Sequence, residues 1–172
     1  MRDDPEGTLR DLQRILDQVV RPAVRDHSGQ IFKLLGDGAL VEFHTATMAI
    51  SATHEILQRL RGDPVRLRAG VHVGDVTEQG GDIFGEAVNM AARLQALAEP
   101  GGGLVSKTAT EVAGKSADIA LKPESSVRLK GFDAPVDAYS IDLEGTQRQA
   151  RLARMAASQE IRFTRALLHK SR

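Results

Sequence analysis

Asn89 and Arg93 stand four residues apart in a stretch of helical character, so their side chains share one helix face. An amide stacked with a planar cation can grip sugar and phosphate oxygens, because the guanidinium presents its N–H groups as a rigid fork. The same spacing also describes an ordinary solvated face. Asp82 comes just before that helix, where the positive end of the helix dipole favours a carboxylate whether or not a ligand is bound. Asp37 lies between Gly36 and Gly38, flanked by the β-prone runs Ile31–Leu35 and Ala39–Phe43. Glycine accepts the angles of a tight turn, so the stretch predicts a hairpin with the Asp37 carboxylate at its tip. A plain turn aspartate and a metal ligand are both compatible with that position. Lys33 interrupts the first of these strands, and a charge there either faces solvent or serves a site. Lys130, in Leu129-Lys130-Gly131, reads on its own as a surface lysine.

Two features carry less. His72 has no second histidine at metal-ligand spacing and reads as a hydrogen-bonded strand histidine. Gly101–Gly103 follow a helix instead of leading into one, which makes them a C-cap and turn, not a phosphate loop.

The elements that must position these groups follow from periodicity. Leu9, Leu12, Leu16, Val19 and Val20 predict a helix from Thr8 to about Arg25, with Thr8 as N-cap and a kink or end at Pro22. Thr45 caps a second helix to about Arg61, its buried stripe formed by Met48, Ala49, Ala52, Ile56, Leu57 and Leu60. Val65–Val73 alternates as a strand that Asp75–Thr77 extends, and Glu78–Gly81 turns. A third helix covers about Gly85 to Ala98, packing through Val88, Ala91, Gln95 and Ala98. Leu104–Ser106, Val127–Leu129 and Val136–Ile141 read as strands, Thr108–Gly114 as a short helix and Gln147–Leu168 as a basic helix. This order predicts an α+β domain with its helices on one face of a sheet and no internal repeat.

Bulk properties narrow the class. Hydrophobic content of 41% beside 27% charged residues is that of a folded domain, and the absence of cysteine excludes disulfides and thiolate metal sites. No apolar run approaches the roughly 20 residues that span a bilayer, and the acidic start MRDDPEGT is no signal peptide, so the expected location is the cytoplasm. Zero net charge conceals an asymmetry. From Thr146 onward seven basic residues face Glu160 alone, leaving +6 there and −6 in the body. The expected organisation is a domain over 1–145 and a basic helical extension or linker over 146–172. Nucleic acid is not an expected partner, since the tail offers only Phe163 for stacking.

Taken in order, KLLGDG, GVHVGDV, DIFGEAVNMAARLQALAEPGG and VRLKGF resemble the catalytic domain of class III adenylyl and guanylyl cyclases over about Asp4 to Asp142. DIFGEAVNMAARL is the most specific segment, with the family's aspartate, aromatic, glycine and Val-Asn-x-Ala-x-Arg. The resemblance implies a ferredoxin-like (βαββαβ-type) palm that dimerises head to tail and builds each nucleotide site from both subunits. It implies that Asp37 is one of two aspartates holding a pair of Mg²⁺ or Mn²⁺ ions. It further implies that Lys33 and Asp82 read the purine, a pairing that selects adenine where guanylyl cyclases carry glutamate and cysteine. Asn89 then orients the ribose, Arg93 stabilises charge on the reacting phosphate and Lys130 holds the terminal phosphates. The implied activity is conversion of ATP to cyclic AMP and pyrophosphate in signalling by a homodimer.

The chain departs from the family at one place. Its start resembles the stretch just after the family's first strand, which carries the other metal aspartate, and Asp3 and Asp4 follow no strand that would let them substitute. The expectation is a start codon assigned too late or a truncation, with little turnover from this chain. Loss of that strand should expose pairing edges. A non-catalytic nucleotide-binding, dimerisation or regulatory module is the alternative.

Overall fold

The computed structural model describes residues 5–114, 118–124, 128, 135–146 and 148–150. The chain enters through a continuous helical rod: α1 (Pro5–Ile15), one π-helical turn (Leu16–Val20) and α2 (Arg21–Asp26). The helix therefore begins before Thr8, which is not its cap. Pro22 does not end it: helical backbone runs through the proline to Asp26. Proline supplies no N–H and its ring crowds the carbonyl four residues back; the wider π turn immediately before it relieves that conflict. Arg14 ties α1 to the loop after the next helix through Asp63 at 2.9 Å.

Hairpin β1 (Gly29–Leu35) and β2 (Gly38–Phe43) follows, as its glycine turn predicts. Helix α3 (Ala46–Arg59) is capped by Thr45, whose Oγ1 accepts the Met48 N–H at 3.2 Å. Its fully buried positions include Ile50 and Ala52. The long strand expected over Val65–Val73 is only β3 (Ala69–Val71), since pairing with its one neighbour extends over three residues. Asp75–Thr77 does not extend it; instead β4 (Thr77–Gln79) and β5 (Asp82–Phe84) form a second hairpin. Gly80 and Gly81 both take positive φ at its turn, the geometry that matches strand twist. Then come α4 (Glu86–Leu97), β6 (Gly103–Ser106), α5 (Lys107–Ala113), β7 (Leu121–Pro123) and β8 (Ala138–Ile141). Strand β7 has no counterpart among the expected elements. Of Val127–Leu129 only Arg128 is described, outside any strand, and most of Gln147–Leu168 lies outside the described residues.

The strands form a four-stranded sheet in the order β3-β6-β8-β7 and two separate hairpins. Strand β3 runs parallel to β6, with α4 as the crossover, while β8 is antiparallel to both its neighbours. Helices cover both faces of the sheet, not one. Along β6, Val105 packs with Ile50 and Leu57 of α3 and Ala109 of α5, whereas the adjacent Leu104 packs with Met90 and Leu94 of α4. Successive strand residues point to opposite faces, so these are two cores divided by the sheet. The buried stripe of α4 is Met90, Leu94 and Ala98; the Gln95 side chain is exposed. Gly70 lets α4 lie directly on β3: a Cβ there would stand 2.5 Å from the Gln95 backbone nitrogen and closer still to the Ala91 carbonyl.

Candidate nucleotide site

Lys33 is delivered by an irregularity. In the β1–β2 ladder Ile31 pairs with Val41 and Lys33 with Leu40, so Phe32 is the extra residue of a bulge. A bulge breaks the strict in–out alternation of a strand and re-aims the side chain beside it. Here the re-aimed side chain is the lysine. Its Nζ donates to Asp82 Oδ2 at 2.5 Å across 49 residues of sequence, joining the first hairpin to the second. Neither partner is buried; the side chains retain 43% and 32% of their exposure.

Asp82 opens β5, pairs with Gln79 across the glycine turn, and accepts its neighbour Ile83's N–H on Oδ1 at 3.0 Å. The hydrogen bond from the Lys33 ammonium is the largest influence and holds the Asp82 carboxyl below the usual carboxylate range; burial opposes it, and the Ile83 N–H and the lysine's charge add to the lowering. Asp82 is therefore a strand residue anchored at both oxygens, not the helix-entry carboxylate that its place before α4 suggests. Oδ2 can accept again and the lysine keeps two of its three N–H donors, so the pair can still bind a heterocycle edge.

Gly85 sets the angle between this hairpin and α4. Its φ of +144° is open only to glycine, and a Cβ there would stand 2.9 Å from the Asp75 carbonyl oxygen. Beyond it Asn89 and Arg93 lie one turn apart on the exposed side of α4, as their spacing predicts, and neither side chain is bonded to another described residue. Asp37 occupies the exposed turn between Gly36 and Gly38 at the tip of the first hairpin. The structure thus joins Lys33 to Asp82, mounts Asn89 and Arg93 on the helix that follows Asp82, and records no bond from Asp37 to any of them. Lys130 lies outside the described residues.

His72 is a bonded histidine, as expected. Its Nδ1 is 2.8 Å from Ser106 Oγ, which also accepts the Ala109 N–H at 3.2 Å. Burial lowers its pKa and favours the neutral ring. Among the described residues no group of three or more His, Asp or Glu could hold a metal ion. A single exposed carboxylate such as Asp37 still suits Mg²⁺, which takes one or two protein carboxylates and completes its shell with phosphates and water. Also among the described residues, no helix is long and apolar enough to cross a membrane.

The sequence matches the adenylate and guanylate cyclase catalytic domain over residues 36–142. It is 34% identical to "Putative adenylate cyclase 3" of Rhizobium meliloti over 81% of this chain and 25% of that protein. It is 28% identical to an adenylate cyclase of Glutamicibacter nicotianae over 74% of this chain and 32% of that one. The chain thus spans a quarter to a third of the length of these relatives. Among solved structures, an adenylate/guanylate cyclase/hydrolase from Silicibacter pomeroyi superposes with a TM-score of 0.73 at 30% identity, covering 81% of this chain and 86% of that one.

Proposed function

Because the chain belongs to the family of adenylate and guanylate cyclase catalytic domains, we propose that it is the catalytic domain of an adenylyl cyclase that converts ATP to cyclic AMP and pyrophosphate. The Lys33–Asp82 pair carries this reading. Adenine presents ring-nitrogen acceptors beside an amino donor, and an ammonium beside a carboxylate is their complement. In the reaction the ribose 3′ oxygen loses its proton and attacks the α-phosphorus in line, as the bond to the pyrophosphate oxygen breaks. Asn89 orients the ribose. Arg93 places a fixed positive charge where the transition state gathers negative charge. Lys130 holds the terminal phosphates.

Asp37 would hold Mg²⁺ or Mn²⁺. Such ions, when bound, lower the pKa of the attacking hydroxyl and neutralise the triphosphate. Asp37, at the exposed hairpin tip, makes no bond to the other groups within the chain, which fits a site shared between two copies, in which each copy lends its Asp37 to the other. Exposed apolar side chains around the two hairpins support the same arrangement: Leu34, Leu35, Val76 and Phe84 are each about half exposed. In this reading residues 1–145 form the cyclase domain and 146–172 a basic extension.

The test is a cyclic nucleotide assay with Mn²⁺ and either ATP or GTP, on this chain and on a version extended upstream. Cyclic AMP from the extended dimer, and a shift toward GTP on combining Lys33→Glu with Asp82→Cys, are the expected results. A folded, dimeric extended protein that binds ATP without turnover overturns the enzymatic reading in favour of a regulatory nucleotide-binding module.

A further inference from the structure

Away from that site, a cavity of about 280 Å³ lies between the last turn of α3, the connection from α3 to β3 and the end of β8. Leu57, Leu60, Val65, Leu67, Ile141 and Leu143 give it an aliphatic side, and the polar remainder of the lining includes the Glu144 carboxylate. Two arginines share the lining, Arg61 and Arg66, and they are held differently. Arg61 donates to Glu144 Oε1 at 2.7 Å and is neutralised by it. Arg66 donates to the Pro100 carbonyl at 3.4 Å, and no carboxylate pairs with it among the described residues.

Gly101 leaves room for the second guanidinium, which is exposed. A Cβ there would stand 2.7 Å from Arg66 Nε and 2.9 Å from Nη2, so the arginine rests against backbone that has no side chain to displace it. The result is an exposed cation beside the aliphatic side of the cavity, with no carboxylate paired to it among the described residues, while Glu144 in the same lining is engaged by Arg61. Water serves that combination poorly, because it satisfies the guanidinium but not the floor. A molecule with an anionic head and a hydrocarbon body serves both, and a carboxylate matches the guanidinium fork in two parallel hydrogen bonds. At roughly 30 Å³ per water-sized group the volume admits about nine such groups.

We infer that this cavity binds a small amphiphilic carboxylate, its head on Arg66 and its body against the aliphatic wall. No residue of the nucleotide site lines it, and the length of α3, about 20 Å, separates it from the Thr45 end of that helix. The proposal does not depend on the cyclase reading.

Octanoate is the probe, titrated into the full chain and followed by amide NMR. Saturable shifts are expected at Leu67, Gly101 and Leu143. Octanol keeps the body without the charge and butyrate keeps the charge without the body; each should bind at least about tenfold more weakly, the scale of one lost charged hydrogen bond. Arg66→Gln should weaken octanoate about tenfold. Arg68→Gln should leave it unchanged, since Arg68 donates to the Ala96 carbonyl at 3.2 Å outside this lining. Should Arg66→Gln unfold, the three-ligand comparison on the unaltered chain decides alone. Absence of saturation, equal affinity for octanol, or shifts confined to the exposed Leu34, Leu35 and Phe84 would overturn the proposal.

Discussion

The four-stranded sheet and the two hairpins are built on different principles. Every residue of β6 is buried, with α3 and α5 on one face and α4 on the other, so each side chain there contributes to a packed interior. The hairpins are shallower: β1 and β2 hold no fully buried residue, although Ile31, Phe32, Leu40, Val41 and Phe43 are half-buried. In β4 and β5 only Ile83 is buried, and the contact joining the two hairpins is an ion pair open to solvent. Stability therefore resides in the sheet, while the groups that would read a nucleotide stand on ribbons that are marginal in isolation. Helix α4 belongs to both: its inner face is core and its outer face carries Asn89 and Arg93.

This division can be broken most severely from the core side. Leu94 is fully buried on α4. Leu94→Ala should cost about 2–5 kcal/mol, transfer and cavity terms together, read as a lower urea midpoint with an unchanged slope. A loss below about 1 kcal/mol would show that the sheet side is not the stable half.

Gly70→Ala probes the joint between the halves. The added methyl would meet backbone atoms of Ala91 and Gln95, which cannot rotate away as a side chain could. Helix α4 must lift off β3, at an overpacking cost of about 1–3 kcal/mol, and Asn89 and Arg93 move with it. ATP affinity should fall even under conditions where the variant is fully folded. Unchanged affinity in a folded variant would separate α4 placement from the nucleotide.

Legibility in the sequence divides along the same line. The caps of α3 and the ends of α4 were readable from Thr45, Gly85 and the stop at Glu99-Pro100, because a cap is local chemistry. The first hairpin was readable from Gly36-Asp37-Gly38 for the same reason. What escaped depends on partners distant in sequence. The apolar pair Leu104-Val105 looks the same whether one or both faces of its strand are covered, so α4 on the second face could not be read. The length of β3 is set by β6, and the bulge at Phe32 by its register against β2. The π turn before Pro22 left one signal, a proline inside an unbroken apolar period. The candidate residues Lys33, Asp37, Asp82, Asn89 and Arg93 stood out as a set through the order and spacing of their motifs, whereas the contact of Lys33 with Asp82 needed the fold.

The smallest effect tests the hairpin side alone. Lys33→Ala removes the main cause that holds the Asp82 carboxyl low, leaving the Ile83 N–H as the remaining one. A carboxyl with a depressed folded pKa contributes stability that is fully present above its unfolded value and lost as pH falls through the folded value. The unaltered chain should therefore lose this contribution only in strong acid. In the variant the Asp82 titration should move upward, toward the ordinary carboxylate range, and its acid sensitivity should shrink accordingly. At neutral pH the urea midpoint should barely change, because an exposed ion pair is screened by water and must immobilise a long side chain. Carboxyl NMR titration of Asp82 in both proteins reads the shift directly. Identical titrations would mean that the two hairpins are not joined in solution, and the proposed adenine-reading pair would then have to be assembled by the nucleotide or by a second copy of the chain.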